Sequence, residues 1–202
     1  MARLIVYYAH PGHKHSHVNK HMARAARGVE GITFVDLYAD YPRFDIDVVV
    51  EQTRLQDHDV VLFEFPMFWY STPSLIKEWQ DLVLEHGFAY GTDGDKLAGK
   101  HMMLAVTAAG PDEAYTPGGY QHYTMRTFLT PLEQTARLCK MRFPAPYVLY
   151  SSLRAPGDGL VEPHVNGYRD LLEAIRDDRY DFAAAEDRDV ISFDTLPLSQ
   201  EG

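Results

Sequence analysis

An apolar run at residues 60–63, Val-Val-Leu-Phe, leads through Glu64, Phe65 and Pro66 almost directly into an amphipathic helix. A run without polar alternation reads as a strand buried on both faces, which calls for a parallel sheet covered by helices on each side. The helix has Thr72 as N-cap and Pro73 at its first position, both favoured there. Its inward stripe is Leu75, Ile76, Trp79, Leu82 and Val83. Between strand and helix the chain delivers Met67, Phe68, Trp69 and Tyr70. Ligands of open α/β sheets bind at the carboxyl ends of strands, so these side chains form a rim suited to a flat conjugated ligand.

The same alternation runs along the chain. Strands are expected at residues 3–8, 33–36, 60–64 and 100–107, and within 142–150, where Pro144 and Pro146 place the fifth strand at an edge. Helices are expected at 16–28, from an Asp47 cap to 57, at 73–86, at 130–140 and at 162–176. Thr130, Pro131 and Glu133 have the spacing of a capping box. Such alternation predicts a three-layer α/β sandwich. Right-handed crossovers leave few topologies. Order 2-1-3-4-5 is the simplest that gathers the ends of strands one, three and four around one crevice.

With 202 residues the chain fits one domain, 1–177, followed by an acidic tail, 178–202. The tail reads either as a solvated end or as an arm packing on a partner subunit through Val190, Ile191, Phe193 and Leu196. The net charge of −10 disfavours nucleic acid and anionic lipid as partners. Cys139 is the single cysteine, which rules out an intrachain disulfide and fits a reducing compartment. It reads as a buried small hydrophobe in the fourth predicted helix. The apolar stretch at residues 4–8 is too short for a signal peptide or a membrane span, so a cytoplasmic location is expected.

The first strand empties into Ala9-His10-Pro11-Gly12-His13-Lys14-His15-Ser16-His17-Val18-Asn19. A helix start offers unpaired N–H groups and partial positive charge, hence an anion site. Ser16 can cap that helix, Asn19 can turn its amide back to the loop, and His10 can donate to a phosphate oxygen. Neither a P-loop nor a G-x-G-x-x-G fingerprint is present. A hydroxyl- and amide-lined loop suits the phosphate of a flavin mononucleotide. His17 and His21 have the i, i+4 spacing of metal ligands, but no cysteine or carboxylate nearby completes a set, so no metal site is assigned.

Four segments together resemble the flavodoxin-like NAD(P)H:quinone oxidoreductase family, its branch of ancillary subunits of glutathione-regulated potassium-efflux systems most of all. They are Tyr-Ala-His10-Pro with Ser16-His-Val-Asn19, Pro66-Met-Phe-Trp69-Tyr70, His86-Gly-Phe-Ala-Tyr90-Gly, and Thr107-Ala-Ala-Gly110. The resemblance implies that His10, Ser16, His17, Val18 and Asn19 hold the flavin phosphate. It implies that Met67, Phe68, Trp69 and Tyr70 support the ring, and that Thr107, Ala108, Ala109 and Gly110 pass main-chain N–H groups along its polar edge. Where the family usually has Thr-Thr-Gly-Gly, this chain has Ala108 and Ala109. Phe88 and Tyr90 would wall the substrate pocket across a homodimer interface. Tyr115, and His122 one position from its expected place, would support catalysis. The implied chemistry is hydride transfer from NAD(P)H through FMN, with FAD as the alternative, to a quinone. The resemblance equally allows a regulatory subunit of a potassium-efflux transporter with flavin as a structural or sensing ligand.

Overall fold

The computed structural model describes residues 1–186 and 188–199; positions 187 and 200–202 of the expected tail lie outside the described residues. Five parallel strands form one sheet in the order β2-β1-β3-β4-β5, as the alternation predicts. They are β1 (Leu4–Tyr8), β2 (Thr33–Asp36), β3 (Val60–Pro66), β4 (His101–Thr107) and β5 (Tyr147–Leu149). The helices are α1 (Asn19–Arg27), α2 (Leu37–Asp40), α3 (Val48–Asp57), α4 (Ser74–Val83), α5 (Met125–Phe128), α6 (Thr130–Leu138), α7 (Val161–Arg176) and α8 (Phe182–Glu186).

Successive strand residues point to opposite faces, so the sheet feeds two cores. Ile5, Tyr7, Val61, Phe63 and Leu104 meet Leu55, Leu75, Trp79 and Ala136 on the α3/α4/α6 side, where Cys139 is also buried. Leu4, Val6, Val60, Leu62 and Met103 meet Met22, Ala26, Tyr168 and Leu172 on the α1/α7 side. β1, β3 and β4 run in register, Tyr8 beside Glu64 and Glu64 beside Ala105. Their carboxyl ends therefore emerge side by side.

Each side of the sheet buries one glutamate completely. Glu51 of α3 accepts from Tyr41 Oη at 2.6 Å, Trp79 Nε1 at 3.0 Å and Arg54 Nη1 at 2.6 Å. Among the described residues, Glu64 of β3, on the opposite face, has no hydrogen bond to either carboxyl oxygen and no cation acting on it.

Several local expectations give way to tertiary contacts. α1 begins at Asn19, not Ser16, although Ser16 Oγ still accepts from the Lys20 N–H at 3.0 Å. Thr72 does not cap α4, whose N-cap is Pro73. The capping box at Thr130 does not form, because Glu133 is held by Arg126 and Arg137 at 3.0 and 2.6 Å. α2 and α5, four residues each, are too short to show a period in the sequence.

Residues 178–186 and 188–199 fold back on their own domain rather than standing free or reaching outward. Val148 N–H donates to Ile191 O, and Ile191 N–H to Pro146 O, both at 2.9 Å, so Ile191 is buried against the free edge of β5. Phe193 lies on Gly167 of α7, where a Cβ would sit only 2.4 Å from the Phe193 Cβ. The tail thus covers the strand edge that its two prolines leave short of partners.

Candidate functional site: a cleft at the ends of the first, third and fourth strands

A cleft of about 380 Å³ opens at the carboxyl edge of the sheet, within the range of small-ligand sites. Three loops meet in it: His10, Ser16, His17, Val18 and Asn19 after β1, Met67 and Phe68 after β3, and Thr107 and Ala109 at the end of β4. Pro66 belongs to the β3 part of the wall, and Gly12, His15, Ser152 and Leu153 complete it. The sequence reading passed over these four. The two after β5 could have been found by extending the strand-end rule to the last strand.

The β1 loop is stiffened from within. Tyr8 Oη and His13 Nδ1 are 2.7 Å apart, and Gly12 N–H donates to His10 Nδ1 at 3.1 Å. Burial lowers the His10 pKa to about 4, so the ring is neutral and its one proton sits on Nε2, free to donate. Among the described residues the main-chain N–H groups of His17, Val18 and Asn19 have no acceptor, as befits the open end of a helix. The Asn19 side chain is buried; its Oδ1 accepts from Thr107 Oγ1 at 2.8 Å, while its Nδ2 donates to nothing. Converging N–H donors without a carboxylate among them describe an anion site. The residues present therefore fit a nucleotide phosphate.

The β3 loop is a two-residue turn. Phe68 and Ser71 exchange both main-chain hydrogen bonds at 3.0 Å, and Trp69 and Tyr70 occupy the corner with φ of 48° and 65°. Such corners favour Asn-Gly, and two aromatic residues there store strain of about 1 kcal/mol or more apiece. The turn lifts Trp69 almost wholly into solvent, at 93% exposure, and stacks Tyr70 on Phe128 at 5.0 Å. Met67 and Phe68 line the cleft; Trp69 and Tyr70 stand at its rim, outside the lining. Replacing Trp69-Tyr70 by Asn-Gly is expected to stabilise the ligand-free protein by about 1–2 kcal/mol in urea denaturation while weakening flavin binding.

After β4 the four expected residues are placed differently from one another. The Ala108 N–H is taken by Leu149 O at 2.8 Å and its methyl is buried, so it faces β5 rather than the cleft. Gly110 is roofed by two tyrosines: a Cβ there would meet Tyr120 Oη at 3.0 Å and the Tyr115 ring at 3.1 Å. Tyr115 packs against Phe128 and Tyr150, and burial raises its pKa. Neither Tyr115 nor Gly110 lines the cleft itself. His122 is exposed in a left-handed turn and does not line the cleft. Phe88 and Tyr90 follow α4, pack on the α3/α4/α6 core and are likewise absent from the lining.

A parallel sheet of this order, with an anion loop after β1 and an aromatic turn after β3, is the architecture of a flavodoxin-like protein. The chain matches the family model described as flavodoxin-like fold over residues 2–171 and belongs to that family. It is 42% identical over 153 residues to the glutathione-regulated potassium-efflux system ancillary protein KefG of Cronobacter sakazakii, covering 76% of this chain and 83% of that one. Among solved structures it is similar to general stress protein 14 in complex with FMN from Treponema denticola, with TM-score 0.80, 34% identity, and 86% and 99% of the two chains covered. An NADPH-quinone reductase from P. pentosaceus gives TM-score 0.72 at 25% identity over 83% and 95% of the chains. A structure described as a thermophilic tryptophan halogenase from Streptomycin violaceusniger matches at TM-score 0.80 and 40% identity, over 82% and 96%.

Proposed function

We propose that this protein is an FMN-dependent NAD(P)H:quinone oxidoreductase. One observation carries the reading: a single cleft joins free N–H donors at a helix start to an aromatic turn and the end of a central strand. The FMN complex of the structurally similar stress protein and the quinone reductase among the neighbours support it.

Bound FMN would supply hydride acceptance from NAD(P)H and two-electron donation to a quinone, while the protein contributes binding, orientation and electrostatics. The N–H groups of residues 17–19 and the His10 Nε2–H bind the phosphate. Ser16 keeps the helix start in shape through Lys20. Met67 and Phe68 would provide the apolar shelf for the ring, with Trp69 and Tyr70 at the rim beside it. Thr107 orients Asn19, and Ala109 offers a main-chain N–H to a developing negative charge. Phe88 and Tyr90, remote from the cleft of their own chain, enter this scheme as walls of the second cleft of a homodimer.

Tyr115→Phe is expected to lower turnover several-fold with flavin still bound, because the hydroxyl beside Gly110 supports the loop at the ring's edge; unchanged steady-state rates would remove it from the mechanism. The decisive assay is NAD(P)H oxidation with menadione by the FMN-loaded protein. Rapid turnover supports the enzyme. Bound flavin with negligible turnover would favour the second reading, an ancillary subunit of a potassium-efflux transporter, which the 42% identity to KefG brings forward. Among the described residues no helix is long and apolar enough to cross a membrane, so such a subunit would reach the membrane through its protein partner.

A further inference from the structure

Glu64 lies at the end of the central strand, directly behind the anion loop, and the mechanism above does not use it. Its side chain is completely buried. The groups around it come from every neighbouring element: Asn19 from α1, Tyr168 from α7, Tyr8 and Ala105 from the adjoining strands, with Thr107 next along β4. None is cationic. The charge that acts on it is Asp36, whose field opposes a negative charge and which is itself paired with Arg27 at 3.0 Å. The Asn19 amide and the Tyr168 hydroxyl are directed at the carboxyl but do not reach bonding geometry, so both oxygens, Asn19 Nδ2 and Tyr168 Oη all lack partners. Glu51, the other completely buried glutamate, is supplied with an arginine, a phenol and an indole N–H. Glu64 receives nothing of the kind.

We propose that Glu64 is held as a neutral acid that positions the Asn19 amide beneath the anion end of the cleft, and that loss of its proton drives the bound phosphate out. The proposal rests on the flavin reading of that cleft. Asn19 is the link, since it lines the cleft, accepts from Thr107 and turns its unpartnered NH₂ toward Glu64. A protonated carboxyl can accept from that NH₂ through one oxygen and donate to the Tyr168 oxygen through the other, satisfying all four orphaned atoms with small adjustments. An ionised one would place a second negative charge under a phosphate dianion. Burial raises the Glu64 pKa well above its ordinary value, in keeping with a neutral group at neutral pH. For an acid with a raised folded-state pKa, stability is intact below the unfolded value and declines as pH rises through the folded value.

Glu64→Gln keeps the shape and removes the proton, so the test compares it with the wild type. FMN dissociation constants are read by flavin fluorescence from about pH 6 to about pH 10, and melting temperatures of both ligand-free proteins from about pH 5 upward. The ratio of wild-type to variant dissociation constants should be near one at the acid end and grow to roughly tenfold at the alkaline end, the size of one like-charge contact at intermediate dielectric. The melting temperature of the variant should gain on the wild type as pH rises. A ratio that stays constant with pH, or melting curves that keep a constant offset, would overturn the proposal while leaving the flavin reading intact. Failure of both proteins to bind FMN at any pH would instead overturn the flavin reading, and the phosphate coupling with it.

Discussion

Glu51→Ala is expected to cost about 3 kcal/mol of unfolding free energy, from a cavity together with two buried donors left without their acceptor. The side chain is completely buried and its carboxylate gathers three donors from three places in the sequence: Tyr41 after α2, Arg54 one turn along α3, and Trp79 on α4. The Tyr7 hydroxyl of β1 is directed at it as well. Alanine leaves the Tyr41 phenol and the Trp79 indole N–H without an acceptor around a cavity, while the part-exposed Arg54 keeps Asp40 at 3.4 Å, and each unmade bond adds to the loss. For a chain of this size 1 kcal/mol moves the melting temperature by about 2–4 °C, so a fall of about 10 °C should appear in calorimetry. Glu51→Gln keeps the volume but points an NH₂ at donors, and should fall between wild type and alanine. Flavin binding should survive in both, because this network lies on the face of the sheet away from Asn19. A change below about 0.5 kcal/mol for alanine, typical of surface sites, would mean that the network does not form in solution.

The largest expected effect on the site itself belongs to Asn19→Asp. The change is isosteric and keeps the acceptor for Thr107. It replaces the inward NH₂ by a second oxygen facing the Glu64 carboxyl and puts an acid on the cleft wall in the first turn of α1, where, unlike at Glu64, unpaired N–H groups and the helix dipole favour its charged form. Against a phosphate dianion such a charge should weaken FMN binding by about a hundredfold, near 3 kcal/mol at an intermediate dielectric. Riboflavin, which lacks the phosphate, should be weakened far less. Titration of both ligands separates the two cases: equal losses would place the phosphate elsewhere than over α1.

Much of this was legible in the chain. Val60–Pro66 and His101–Thr107 announce themselves as buried strands because nearly every residue is apolar. α7 is legible because its apolar stripe is long enough to show a period. His10, Ser16, Asn19, Met67, Phe68 and Thr107 could be named because strand ends are where an α/β sheet exposes chemistry. What could not be read depends on distant partners. Glu64 looks like one polar residue in an apolar strand, and only the packing of α1 and α7 shows that it is buried without a counter-charge. Glu133 has the spacing of a capping residue, but two arginines compete for it. The acidic composition of the tail suggests solvation, yet Ile191 and Phe193 dock because β5 has a free edge and α7 offers a bare glycine. Ala108 reads like its neighbours until the short β5 takes its N–H.

The strain at Trp69 and Tyr70 belongs to the same account. A corner built from two aromatic residues with positive φ is a poor choice for folding. It makes sense where large rings must stand clear of the sheet beside a ligand. Stability and binding should therefore move in opposite directions at these two positions, whereas Glu51 affects stability alone and Asn19 affects binding first.

Equilibrium dialysis of the ligand-free protein against FMN tests the central claim most directly. A flavin seated on the free N–H groups of residues 17–19 should be retained at close to one molecule per chain, with an altered visible spectrum, and an excess of inorganic phosphate should compete with it. Protein that remains colourless against excess FMN, or that retains FMN with no response to phosphate, would contradict the assignment of this cleft.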